Sequence, residues 1–95
     1  MDFSVKWRTI TGFELLWRVW NDEHIIYHTG SGDTHLLSSD AAKVLRSLQK
    51  DAATISDLEN KLASVIDVPQ DNHLPSYLET IMTDLNKLGV IERIH

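Results

Sequence analysis

The chain has 95 residues, 42% hydrophobic and 24% charged, which is the length and composition of one small folded domain and not of a disordered segment. With no cysteine it has neither a disulfide framework nor a thiolate metal site, and it suits a reducing compartment. The net charge of −5 is divided as 3 basic and 5 acidic side chains over residues 1–38 and 6 and 9 over residues 39–95, so neither half supplies a basic footprint for nucleic acid. A domain this small encloses little interior, which moves the expectation from enzyme to binding module.

Apolar runs such as Phe13 to Trp20 are interrupted by charge well short of the roughly 20 residues that a membrane-spanning helix needs. Met1 to Lys6 has neither a basic region nor an apolar core of a secretory signal. No membrane association is expected, and the expected location is the cytoplasm.

Val5 to Thr9 is a weak extended segment closed by Gly12. Glu14 to Trp20 alternates, with Leu15, Trp17 and Val19 on one face and Leu16, Arg18 and Trp20 on the other, as in a half-buried strand. Asn21-Asp22 supplies a turn, and His24 to His28 is the returning strand. Thr29-Gly30-Ser31-Gly32-Asp33 is a second turn whose two glycines permit positive φ, leading to a third strand, Thr34 to Leu37.

From Ser38 the period changes. Ser38 or Ser39 caps a helix that carries Ala41, Val44, Leu45 and Leu48 on one face and ends near Asp51. Thr54-Ile55-Ser56-Asp57 resembles a capping box ahead of a second helix with a stripe of Ile55, Leu58, Leu62, Val65 and Ile66, ending before Pro69. Gln70 to His73 is a polar loop. Pro75 and the box Ser76-Tyr77-Leu78-Glu79 open a third helix that is capped by Gly89, and Val90 to Ile94 is a short final strand. The fold class is therefore α+β and winged-helix-like: an N-terminal three-stranded antiparallel sheet, a three-helix bundle and a short C-terminal strand, in a single domain over residues 1–95.

Two elements stand out. The third helix bears Leu74, Leu78, Ile81, Leu85 and Leu88, widened by Tyr77 and Met82; either both flanks are core, or one walls an apolar groove. The strand Asp33-Thr34-His35-Leu36-Leu37 has one neighbour in a meander, so its other edge is either covered by helix or terminal strand or open to β-augmentation. The histidines do not suggest a metal: His24 and His28 lie roughly 13 Å apart along a strand, too far to share an ion. Ser31, Asp33 and His35 are crowded into one turn, where no hydrolase triad aligns and Ser31 and Asp33 instead serve turn chemistry. Trp7, Trp17 and Trp20 read as sheet-face packing. The exposed residues of the third helix include two acids, Glu79 and Asp84, against one base, Lys87, which disfavours DNA.

Trp17-x-x-Trp20-Asn21-Asp22-Glu23-His24-Ile25-Ile26-Tyr27, Ser31-Gly32-Asp33-Thr34-His35-Leu36-Leu37, Ala41-Ala42-x-Val44-Leu45-x-x-Leu48, Thr54-x-x-Asp57-Leu58 and Leu85-x-x-Leu88-Gly89-Val90-Ile91 together resemble the PqqD-related proteins associated with an HPr-kinase-like partner. The wider group comprises peptide chaperones or recognition elements for ribosomally made, post-translationally modified peptides. The resemblance implies a non-catalytic, cofactor-free domain that binds the leader segment of a precursor peptide as an added strand and presents it to a modifying enzyme. The positions implicated are Asp33, Thr34, His35, Leu36 and Leu37 on the strand, and Tyr77, Leu78, Ile81, Met82 and Leu85 on the helix. Strand register decides whether His35 and Leu37 or Thr34 and Leu36 face the ligand. The alternative role is a regulatory subunit docking on the HPr-kinase-like protein, and a second copy at the open edge would give a homodimer.

Overall fold

A computed structural model describes residues 5–21, 23–68, 70 and 73–94. The expectations for residues 1–4, for Asp22 and Pro69, for Asp71 and Asn72 in the polar loop and for His95 lie outside the described residues. The elements run in the order β1 (Lys6–Thr9), β2 (Leu15–Trp20), β3 (Glu23–His28), β4 (Thr34–Leu37), α1 (Ser39–Lys50), α2 (Ile55–Leu62), α3 (Leu74–Lys87) and β5 (Ile91–Ile94). The fold is α+β, with three helices and two antiparallel sheets among the described residues.

The meander β2-β3-β4 forms as its alternation dictates, with Trp17 opposite Ile26 and Ile26 opposite His35. Asn21 takes positive φ in the first turn. In the second turn only Gly32 does so; Gly30 is required instead by close approach, because a Cβ there would lie 2.4 Å from the Phe13 ring. The weak first segment is a true strand, but it joins β5 and not the meander: Lys6 pairs with Ile94 and Thr9 with Ile91. Main-chain bonds between Trp7 and Ala53 then tie this ribbon to the link between α1 and α2.

Ser38 caps α1, its hydroxyl accepting from the Ala41 N–H, and Ala42, Val44, Leu45 and Leu48 are buried. The box at the start of α2 is complete: Thr54 Oγ1 accepts from the Asp57 N–H and Asp57 returns a bond to the Thr54 N–H. α2 is shorter than its stripe implies and ends at Leu62. Beyond it the N–H groups of Val65 and Ile66 both donate to the Leu62 carbonyl, a tightening that turns Val65 out to solvent and Ile66 into the core.

α3 begins at Leu74, capped by the His73 main chain with Pro75 in its first turn, so Ser76 lies inside the helix and its carbonyl accepts from Thr80. At the other end Gly89, with φ 77°, bonds Asn86, and Val90 bonds Leu85, a Schellman closure that sends the chain into β5. The core gathers Trp7, Ile26 and Leu37 from the strands around Leu45, Leu48, Leu58, Leu78, Met82 and Leu85 from the helices.

Candidate functional site

β4 stands at the margin of its sheet, and among the described residues no strand pairs with its outer edge, because β5 is engaged with β1. Which of its main-chain groups face outward follows from one bond. The His28 N–H donates to the Asp33 carbonyl at 2.9 Å, and in an antiparallel ladder bonded pairs alternate with unbonded ones. With His28 opposite Asp33, the pairs Ile26–His35 and His24–Leu37 also exchange bonds, whereas Thr34 and Leu36 turn their N–H and C=O groups away from β3. The bond from the Thr29 N–H to the Glu14 carbonyl sets the opposite phase on the β2 side of β3, as this alternation requires.

Side chains divide by face. His35 and Leu37 turn inward, Leu37 buried, while Thr34 and Leu36 are exposed, Leu36 at 63%. A strand added on this edge would therefore bond the main chain of Thr34 and Leu36 beside their exposed side chains. Asp33 is exposed at the entry to β4, where its N–H donates to the Ser31 hydroxyl at 3.2 Å.

The turn leading into β4 is held by a residue that sequence reasoning passed over. His28 is buried, and its Nδ1 accepts from the N–H groups of both Gly30 and Ser31 at 3.0 Å. Nδ1 thus carries no proton, and the ring keeps its N–H at Nε2. The signal for this role was present in the alternation, which places His28 on the same face as the core residue Ile26. Two other histidine nitrogens, His24 Nδ1 and His35 Nε2, are buried without a hydrogen-bond partner among the described residues. Among the described residues no three His, Cys, Asp or Glu side chains form a group able to hold a metal ion.

The helix residues are not arranged as a groove wall. Leu78, Ile81, Met82 and Leu85 are all buried, Leu78 and Met82 completely, because α1, α2 and β5 cover the stripe. Tyr77 alone of the five is part-exposed. Its hydroxyl donates to Asp40 Oδ2 at 2.6 Å, tying the start of α3 to the first turn of α1, three residues beyond Leu37. The carboxylate beside it, together with burial, pushes the phenol up to about 12.

The tryptophans separate. Trp7 is buried in the core; Trp17 is half-buried, with Arg46 stacked 4.1 Å over its ring and its N–H donating to Gln49; Trp20 is 63% exposed. Trp20 is therefore exposed on the outer face of the sheet and not packed. This outer face carries Leu16, Trp20, Tyr27 and Leu36 as exposed apolar groups. At the opposite sheet edge, Thr9, Ile10 and Phe13 line a cavity together with Leu15 and Leu16 of β2. Among the described residues no helix is long and apolar enough to cross a membrane. No protein-family model matches the chain, and neither a curated protein nor a solved structure shows significant similarity to it.

Proposed function

We propose that the protein is a non-catalytic peptide-binding module of the cytoplasm that takes the leader segment of a precursor peptide as an added strand on β4 and presents it to a modifying enzyme. The observation that carries the reading is the outward-facing main chain of Thr34 and Leu36 on an edge that has no strand neighbour among the described residues. Main-chain bonds of this kind supply affinity, and alternate side chains supply selectivity. The PqqD-like resemblance supports the same reading, and with it a winged-helix-like arrangement of β4 and α3. In this arrangement Tyr77 is the most accessible of the five helix residues, tied by its hydroxyl to Asp40 just beyond β4, while Leu78, Ile81, Met82 and Leu85 are core. The test is titration with the precursor peptide encoded beside the gene. Tryptophan fluorescence should change saturably, and a proline at the centre of the peptide strand should abolish the change; absence of binding to every neighbouring precursor overturns the proposal.

A second reading, a subunit docking on an HPr-kinase-like protein, is favoured by the exposed apolar outer face of the sheet, which an added edge strand would leave largely uncovered. Capture of that kinase in a background lacking the precursor, lost in Trp20→Ala, separates the two.

A further inference from the structure

Four of the nine basic side chains, Lys43, Arg46, Lys50 and Lys61, line one groove between α1 and α2 of about 430 Å³, with Asp51 as the single carboxylate on its wall. On a chain of net charge −5 this is a local concentration of positive charge, with Asp40 and Asp57 as acidic neighbours of Lys43 and Lys61. Two of the four cations are held in place by contacts to neighbouring groups. Lys43 Nζ donates to the Val65 carbonyl at 2.6 Å and pairs more loosely, at 4.0 Å, with Asp40. Arg46 is fixed by stacking on Trp17. Lys50 and Lys61 sit in the last turns of α1 and α2, where they also complement the helix dipoles. Leu62 and the lysine stems give the groove an apolar floor.

We propose that this groove is a binding site for an acidic polypeptide segment. Spacing selects that ligand over a single phosphate: Lys43 and Lys50 are separated by roughly 10 Å along α1, at ~1.5 Å per residue. A single phosphate reaches cations only within hydrogen-bond distance, whereas an extended chain covers the same span in about three residues and can place carboxylates at both ends. The site is distinct from the β4 edge and uses side-chain charge where that edge uses main-chain bonds, so either can fail without the other.

The test is an NMR titration of the protein with a short polyglutamate peptide, with inorganic phosphate and polylysine run in parallel. Polyglutamate should shift the amides of α1 and α2 around Lys43, Ser47, Lys50 and Lys61, and added salt should weaken it. Lys50→Glu with Lys61→Glu should weaken it by about tenfold or more. Lys50→Gln with Lys61→Gln provides the same comparison should charge reversal disturb the fold, and Leu36→Pro should leave polyglutamate binding intact. Shifts absent from the groove, unchanged affinity in the folded double variants, or saturation of these amides by phosphate without any response to polyglutamate overturns the proposal.

Discussion

The Tyr77 hydroxyl donates to Asp40 at 2.6 Å and so joins the first turns of α3 and α1 beside the end of β4. With the phenol pushed up to about 12, the folded state holds its proton where the unfolded chain, near 10, releases it. The bond's contribution is therefore fully present below about pH 10 and is lost as pH rises through about 12. Subtracting the alkaline absorbance titration of Tyr77→Phe from that of the native chain should isolate one phenol titrating near 12, and the native chain should lose its stability advantage over Tyr77→Phe across that window. At neutral pH Tyr77→Phe should cost about 1.5–3 kcal/mol in urea unfolding, the range for a hydrogen bond to a charged group.

His28 governs the turn ahead of β4. Replacement by Phe keeps the bulk and the ring contact with Phe13 but leaves the Gly30 and Ser31 N–H groups without their acceptor. The expected loss is about 1–3 kcal/mol for each N–H that water does not reach, seen as a lower Tm. Amide exchange at Gly30 and Ser31 should rise ahead of exchange in α1.

Met82 is fully buried in the core. Met82→Ala should destabilise by about 2–5 kcal/mol in urea unfolding, while peptide affinity measured well inside the folded range stays close to native. A large affinity loss without destabilisation would restore an apolar groove on α3.

The start of α2 depends on Thr54 and Asp57. Bonds from the Thr54 main chain and hydroxyl hold the Asp57 carboxyl below its usual range, so its contribution is present above about pH 4 and is lost as pH falls through the lowered value. Thr54→Ala should cost about 1 kcal/mol, and acid unfolding of Asp57→Asn should show a weaker pH dependence in that window.

The sequence was most legible where a local rule acts alone. Alternation located β2, β3 and β4, the Thr54 box opened α2, and Gly89 closed α3. It was least legible where distant segments decide. The β1–β5 pairing joins the two ends of the described chain, and it left the β4 edge without the terminal strand that was one candidate to cover it. The same limit applies to Ser76, which fits a capping box but yields to a helix start set by Pro75. It applies again to α3, whose broad apolar stripe was compatible with core or groove until packing against α1 and α2 buried the stripe and its Met82 flank, leaving Tyr77 part-exposed. The partners of Tyr77 and of Gly30 lie 37 residues away on α1 and on the approach to β2 respectively, beyond any local pattern.

Amide hydrogen exchange at Thr34 and Leu36, measured with the precursor peptide absent and at saturation, tests the central proposal most directly. Strand addition predicts that these two amides exchange at least about tenfold more slowly in the complex, while His35 and Leu37, already in the ladder with β3, change little. A saturated complex in which Thr34 and Leu36 exchange as fast as in the free protein would contradict it.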